Sequence, residues 1–113
     1  MNMQQRIVSE IELDKALCFL RDHARALGEA KARVVRAGHM LKHIEALEFK
    51  KSEATSNDRR QADARTSQAY LDAIVEDAEA AGAYETMKAL REAAALKIEA
   101  WRSESATYRS MKI

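Results

Sequence analysis

Apolar residues recur every seven positions between Glu10 and Lys51: Leu13, Leu20, Leu27, Val34 and Leu41. Seven residues make nearly two helical turns, so these side chains stack on one helix face. Ala16 and Leu17, Ala24, Ala30, Ala37 and Ile44 fill the alternate three- and four-residue steps. Such a pattern describes a heptad seam, the signature of coiled-coil packing against another helix. A second stripe follows: Tyr70, Ala73, Ile74, Ala80, Ala83, Met87, Leu90, Ala94, Ile98, Trp101 and Tyr108. Within it Ala73, Ala80, Met87, Ala94, Trp101 and Tyr108 are again seven apart. Two matched stripes joined by a short connection predict an all-α fold, a long antiparallel two-helix hairpin.

Local signals set the boundaries. Ser9 followed by Glu12 reads as a capping box, and Glu10, Glu12 and Asp14 suit a positive helix end. Lys50 and Lys51 suit the negative end. The first helix is therefore expected over residues 10–51, a turn over 52–66 and the second helix over 67–109, in a single domain. Polar residues from Ser52 to Asp58 compete for backbone hydrogen bonds and mark the turn. Asp58 could cap a short helical turn through Arg65, and Ser67 could start the second long helix. Residues 1–8 lack a cap and are expected to fray, as is the segment after Tyr108. Gly28 and Gly38 each weaken the first helix by about 1 kcal/mol relative to Ala. They read as tolerated glycines, as close helix contacts or as hinges.

A hairpin folded near residue 59 would set Asp72, Glu76, Asp77 and Glu79 beside Arg36, His39, Lys42 and His43, a charge match of the kind that fixes register. Leu71, Val75 and Ala78 lie off the main stripe of the second helix, while Leu47 and Phe49 widen that of the first. Two helices cannot cover all of this apolar surface, which predicts a homo-oligomer, a dimer forming a four-helix bundle. The self-association seam would draw on Leu13, Leu20, Leu27, Val34, Leu41, Met87, Leu90, Ile98 and Trp101.

Composition sharpens the class. The chain has no Pro and only three Gly, and aromatics are 5%, which favours long helices with a thin core. A net charge of +1 with 33% charged residues demands neither nucleic acid nor membrane. Cys18 is the sole cysteine, so no internal disulfide can form, and a reducing cytoplasm is the simplest expected location. Residues 1–6 hold no apolar run of the signal-peptide kind, and no stretch reaches the length of a membrane span.

Chemistry is sparse. His39 and His43 are four apart, a metal-ligand spacing that Glu76 or Glu79 could complete, but solvated histidines are the simpler reading, and no metal or other cofactor is expected. His23 lies beside the seam and reads as a partly buried histidine. Cys18 reads as a small packing residue, with His23 too loosely placed to activate a thiol. No enzyme activity is therefore expected and no catalytic residue is assigned. Lys50, Lys51, Arg59, Arg60 and Arg65 gather at the expected tip, where they could grip single-stranded nucleic acid. Glu53, Asp58 and Asp63 interleave with them, and only Phe49 and Tyr70 could stack on bases. Arg21, Arg25, Arg33 and Arg36 line the outer part of the first helix. Trp101 falls on the stripe as a core anchor whose indole N–H needs an acceptor, and Arg102, Arg109 and Lys112 suit the helix end.

Lys15-Ala16-Leu17 with Leu20, Arg21 and Ala24, then Ala69-Tyr70-Leu71, then Ile98-Glu99-Ala100-Trp101-Arg102-Ser103 with Ala106 and Arg109, resemble a group of small helical proteins of tailed phages and prophages. The resemblance covers residues 15–109 and is most specific in the Ile-Glu-x-Trp-Arg segment. The group often has Pro before the Tyr of its second helix, where this chain has Ala69. Its genes tend to lie among those of phage recombination and replication. The resemblance implies a role near DNA metabolism and no catalytic residues. The leading expectation is a non-enzymatic module that holds or recruits a phage or host DNA-metabolism protein. Binding of DNA through the tip, and a phage structural or assembly role, are the alternatives.

Overall fold

A computed structural model describes residues 6–111. Among them the fold is all-α, with α1 at Glu10–Lys51, α2 at Asn57–Arg65 and α3 at Gln68–Met111. The expected capping box forms: the Ser9 amide donates to Glu12 Oε2 at 3.0 Å, and the Glu12 amide donates to Ser9 Oγ at 3.1 Å. The helix runs through Gly28 and Gly38 without a break, and a Cβ at either would meet nothing within 4 Å. Neither glycine answers a close helix contact within the chain.

The connection is more ordered than a plain turn. Ser56, not Asp58, caps α2, with the Arg59 amide donating to its Oγ at 3.2 Å. Thr66 closes α2, its amide donating to the Ala62 carbonyl at 3.1 Å. Ser67 then joins two elements. Its hydroxyl donates to the Ala64 carbonyl at 2.7 Å and accepts the Tyr70 amide at 3.2 Å, which starts α3 where expected. α3 stays helical to Met111, past the expected end at residue 109.

The chain packs as two compact units. One holds residues 28–85. Here the second half of α1 runs antiparallel to the first half of α3, as shown by Arg33 meeting Glu76 and Glu79 while Lys31 covers the Tyr84 ring. Ala37, Ala64 and Ala80 are its buried residues, with α2 docked through Ala64. The observed register differs from the charge-matched one. Glu76 pairs with Arg33 rather than sitting among His39, Lys42 and His43, because α2 occupies the connection and α3 re-enters at its own offset.

The other unit holds, among the described residues, 6–27 with 86–111. The first half of α1 lies antiparallel to the second half of α3, with Ala16 and Ala94 buried between them. Val8 and Tyr108 complete its core. Residues 6–8, expected to fray, are instead tied to α3. The Ile7 and Val8 amides donate to the two oxygens of Glu104 at 3.1 and 3.2 Å, and Val8 is buried. Residues 1–5 of that expectation lie outside the described residues, as does Lys112.

Candidate interaction surfaces

The expected tip forms, and most of its cations are already engaged. Lys51 pairs with Glu48 at 3.2 Å and Arg65 with Glu45 at 3.2 Å. The Arg60 guanidinium lies 4.7 Å from the Phe49 ring centre, a cation–π contact that also uses the aromatic nearest the tip. Ser52 Oγ donates to Asp63 at 2.6 Å, which ties α2 back to the end of α1. Lys50 and Arg59 are exposed. Five acidic residues (Glu45, Glu48, Glu53, Asp58, Asp63) stand among the five basic ones over residues 45–66, so the local formal charge is zero.

The residues named for self-association occupy the α1 and α3 faces that meet within each unit. All are partly buried except Leu90, which is 48% exposed. Uncovered apolar surface lies in both units, with Ile11, Leu17 and Leu96 exposed in the one that holds the start of α1. On α3 of the 28–85 unit, Leu71, Ile74 and Val75 are 44, 41 and 55% exposed. Residues 68–85 carry five carboxylates (Asp72, Glu76, Asp77, Glu79, Glu85) and no basic residue. On α1 of the same unit, exposed Val35, Met40 and Leu47 alternate with exposed Arg36, His39, Lys42 and His43. One unit thus presents an acidic apolar surface and a basic apolar one.

Arg33 fixes the register between them. Its Nε and Nη2 donate to Glu76 Oε1 and Oε2 at 2.8 and 3.0 Å, a two-pronged pair, with Glu79 at 3.9 Å. Hydrogen bonding to Arg33 is the main reason the Glu76 carboxyl titrates below its ordinary value. The Arg33 and Arg36 charges add to the effect, and desolvation opposes it. Glu76 and Glu79 therefore face a guanidinium. His39 and His43 are exposed, and among the described residues no group of three or more His, Cys, Asp or Glu is placed to hold a metal.

The other unit carries a cation in an aromatic and acidic setting. Arg6 lies 3.6 Å from the Trp101 ring centre and 5.3 Å from that of Tyr108. Its Nη2 donates to the Trp101 carbonyl at 3.0 Å and to Ser105 Oγ at 2.7 Å, and its Nε lies 3.7 Å from Glu104. Trp101 is partly buried on the stripe, as expected of an anchor, but its face holds a guanidinium. The signal missed in the sequence is the pairing of an Arg just before a capping box with Trp, Glu, Ser and Tyr spaced along the end of α3.

Farther along the same unit, a cavity of about 400 Å³ opens between α1 and α3, lined by Phe19, Leu20, His23, Leu27, Met87 and Arg91 with Ala24 and Ala95. His23 stacks on Phe19, ring centres 4.3 Å apart and planes 16° apart. Cys18 is partly buried and free. Among the described residues no helix is long and apolar enough to cross a membrane.

No protein-family model, curated protein or solved structure matches this chain.

Proposed function

We propose that this chain is a non-enzymatic helical interaction module that works as a homodimer, in the setting of phage or prophage DNA recombination or replication. The observation that carries the reading is the Leu71, Ile74 and Val75 surface, three large apolar side chains 41–55% exposed on one helix. Such clustered exposure marks an interface on a small protein. Its surroundings name the occupant. The acidic apolar surface of α3 is complementary to the basic apolar surface around Val35, Met40 and Leu47, so a second copy supplies the matching partner. The phage setting rests on the resemblance of the Ile98-Glu99-Ala100-Trp101-Arg102 segment and its companions.

Sedimentation velocity across about 1–100 µM, which brackets a micromolar Kd, tests the dimer. The wild-type chain should sediment as a dimer. Leu71→Glu with Val75→Glu should sediment as a monomer with unchanged helical circular dichroism, since both positions face solvent. A wild-type monomer throughout that range refutes the reading. Capture of a recombination or replication protein from phage-infected lysate by the wild-type chain tests the setting, and recovery of nothing above background counts against it.

A further inference from the structure

The geometry points to the cavity between α1 and α3 as a binding site for a small aromatic carboxylate, held by Arg91 against the stacked Phe19 and His23 rings. In the seam of α1, positions seven apart carry Ala16, His23, Ala30, Ala37 and Ile44. His23 is the polar exception. In α3, the series Tyr70, Asp77, Tyr84, Arg91, Ile98 places Arg91 at a seam position too. In the neighbouring layer Ala16 and Ala94 are buried at 4 and 7% exposure, beside a smaller space of about 240 Å³. His23 and Arg91 are both exposed. Two polar side chains replace apolar packing there, and the space beside them is about 400 Å³, within the size range of small-molecule sites.

The lining specifies the ligand. Leu20, Leu27 and Met87 give it an apolar body. His23 Nδ1 lies 3.2 Å from the Phe19 carbonyl, so in the tautomer protonated there it donates to the backbone, and the ring stacked on Phe19 becomes a flat wall. An aromatic ring is the natural complement to that wall. Arg91 is the one permanently charged lining residue, no acidic residue lines the cavity, and no carboxylate of the described residues pairs with its guanidinium. A planar fork of donors beside an apolar cavity selects a carboxylate, which it can hold through two parallel hydrogen bonds. Self-association through α3 of the other unit uses none of these residues, so the two proposals stand or fall separately.

The probe is 2-naphthoate, with 2-naphthalenemethanol as the uncharged counterpart, followed by calorimetry and by the methyl resonance of Met87. The expected result is saturable one-to-one binding of naphthoate that shifts the Met87 methyl. The alcohol should bind at least about tenfold more weakly, and Arg91→Gln should weaken naphthoate by a similar factor. Arg91 is exposed, so its replacement leaves the fold intact. Ala95→Trp should fill the cavity and abolish binding, with helical content checked by circular dichroism. The monomeric Leu71→Glu, Val75→Glu variant should bind naphthoate as the wild type does. Absence of saturable binding up to about 5 mM overturns the proposal, as does equal binding of acid and alcohol or an unmoved Met87 methyl. A Met87 methyl that shifts only on protein dilution, without naphthoate binding, assigns the cavity to a second copy and also overturns it.

Discussion

Replacing Arg6 with Ala should unlock residues 6–8 from α3 at a measurable cost. Arg6 is 8% exposed in its side chain, and Glu104 beside it 12%, so water screens little of what they do. Two hydrogen bonds leave one charged donor, to the Trp101 carbonyl and Ser105 Oγ, each worth about 1.5–3 kcal/mol when the donor is charged. The guanidinium over Trp101 adds about 1–2 kcal/mol in so dry a setting. Against this, Arg6 Nε is buried without a hydrogen-bond partner, a penalty of about 1–3 kcal/mol that the variant removes. Release of the three residues also returns about 1–2 kcal/mol of backbone entropy each. Release also breaks the Ile7 and Val8 amide bonds to Glu104, about 1–1.5 kcal/mol each, which leaves a net loss of about 2 kcal/mol. In urea, with a slope of about 2 kcal/mol per molar, the midpoint should fall by about 1 M. Trp101 is the only tryptophan, so its emission reads the same event locally and should shift to the red as the ring meets water. Arg6→Lys should recover part of the loss, because it keeps the charge but not the planar fork. A midpoint within about 0.2 M of wild type, with unchanged Trp101 emission, would show that the segment contributes nothing to stability.

Other perturbations give directional outcomes. Because Arg33 holds the Glu76 carboxyl below its ordinary pKa, their pairing adds stability above the unfolded carboxylate pKa and loses it as pH falls through the lowered folded value. Wild type and Arg33→Gln should therefore differ in urea midpoint near neutral pH and converge in acid; a gap that widens in acid would contradict this. Gly28→Ala and Gly38→Ala should each stabilise the chain by about 0.5–1 kcal/mol, since neither Cβ meets a neighbour. A loss of stability in thermal melts would reveal a close contact with another molecule. Ser67→Ala removes the cap of α3 and should cost about 1 kcal/mol by urea titration, with no change showing that the cap is dispensable. At the tip, Lys50 and Arg59 are exposed and, among the described residues, in no ion pair, so Lys50→Glu with Arg59→Glu should abolish any salt-dependent DNA binding seen by fluorescence anisotropy. Unchanged affinity would remove the tip as the contact.

The sequence shows helix boundaries more readily than helix offsets. The Glu10 start, the Lys51 end and the entry of α3 after Ser67 follow from caps and heptads, both local signals. The offset between α1 and α3 does not, because a seven-residue repeat looks the same after a slide of one heptad. Charge matching then favoured Arg36 and its neighbours, whereas Arg33 takes Glu76. The pairing of tip cations with Glu45 and Glu48 depends on that same offset and on α2. Residues 6–8 show no period, so nothing local announced that Glu104, almost a hundred positions away, would hold their amides. The cavity sits where His23 interrupts the α1 series and meets Arg91 of α3, which is visible only once the helices are aligned.

The buried set among the described residues is Val8, five alanines and Tyr108, and no large side chain is fully enclosed. Alanine covers little hydrocarbon, so unfolding should expose less apolar surface than the usual domain of this length and carry a small heat-capacity increment. A small increment flattens the stability curve. Stability should then change slowly from cold to physiological temperature, and cold unfolding should lie far below freezing.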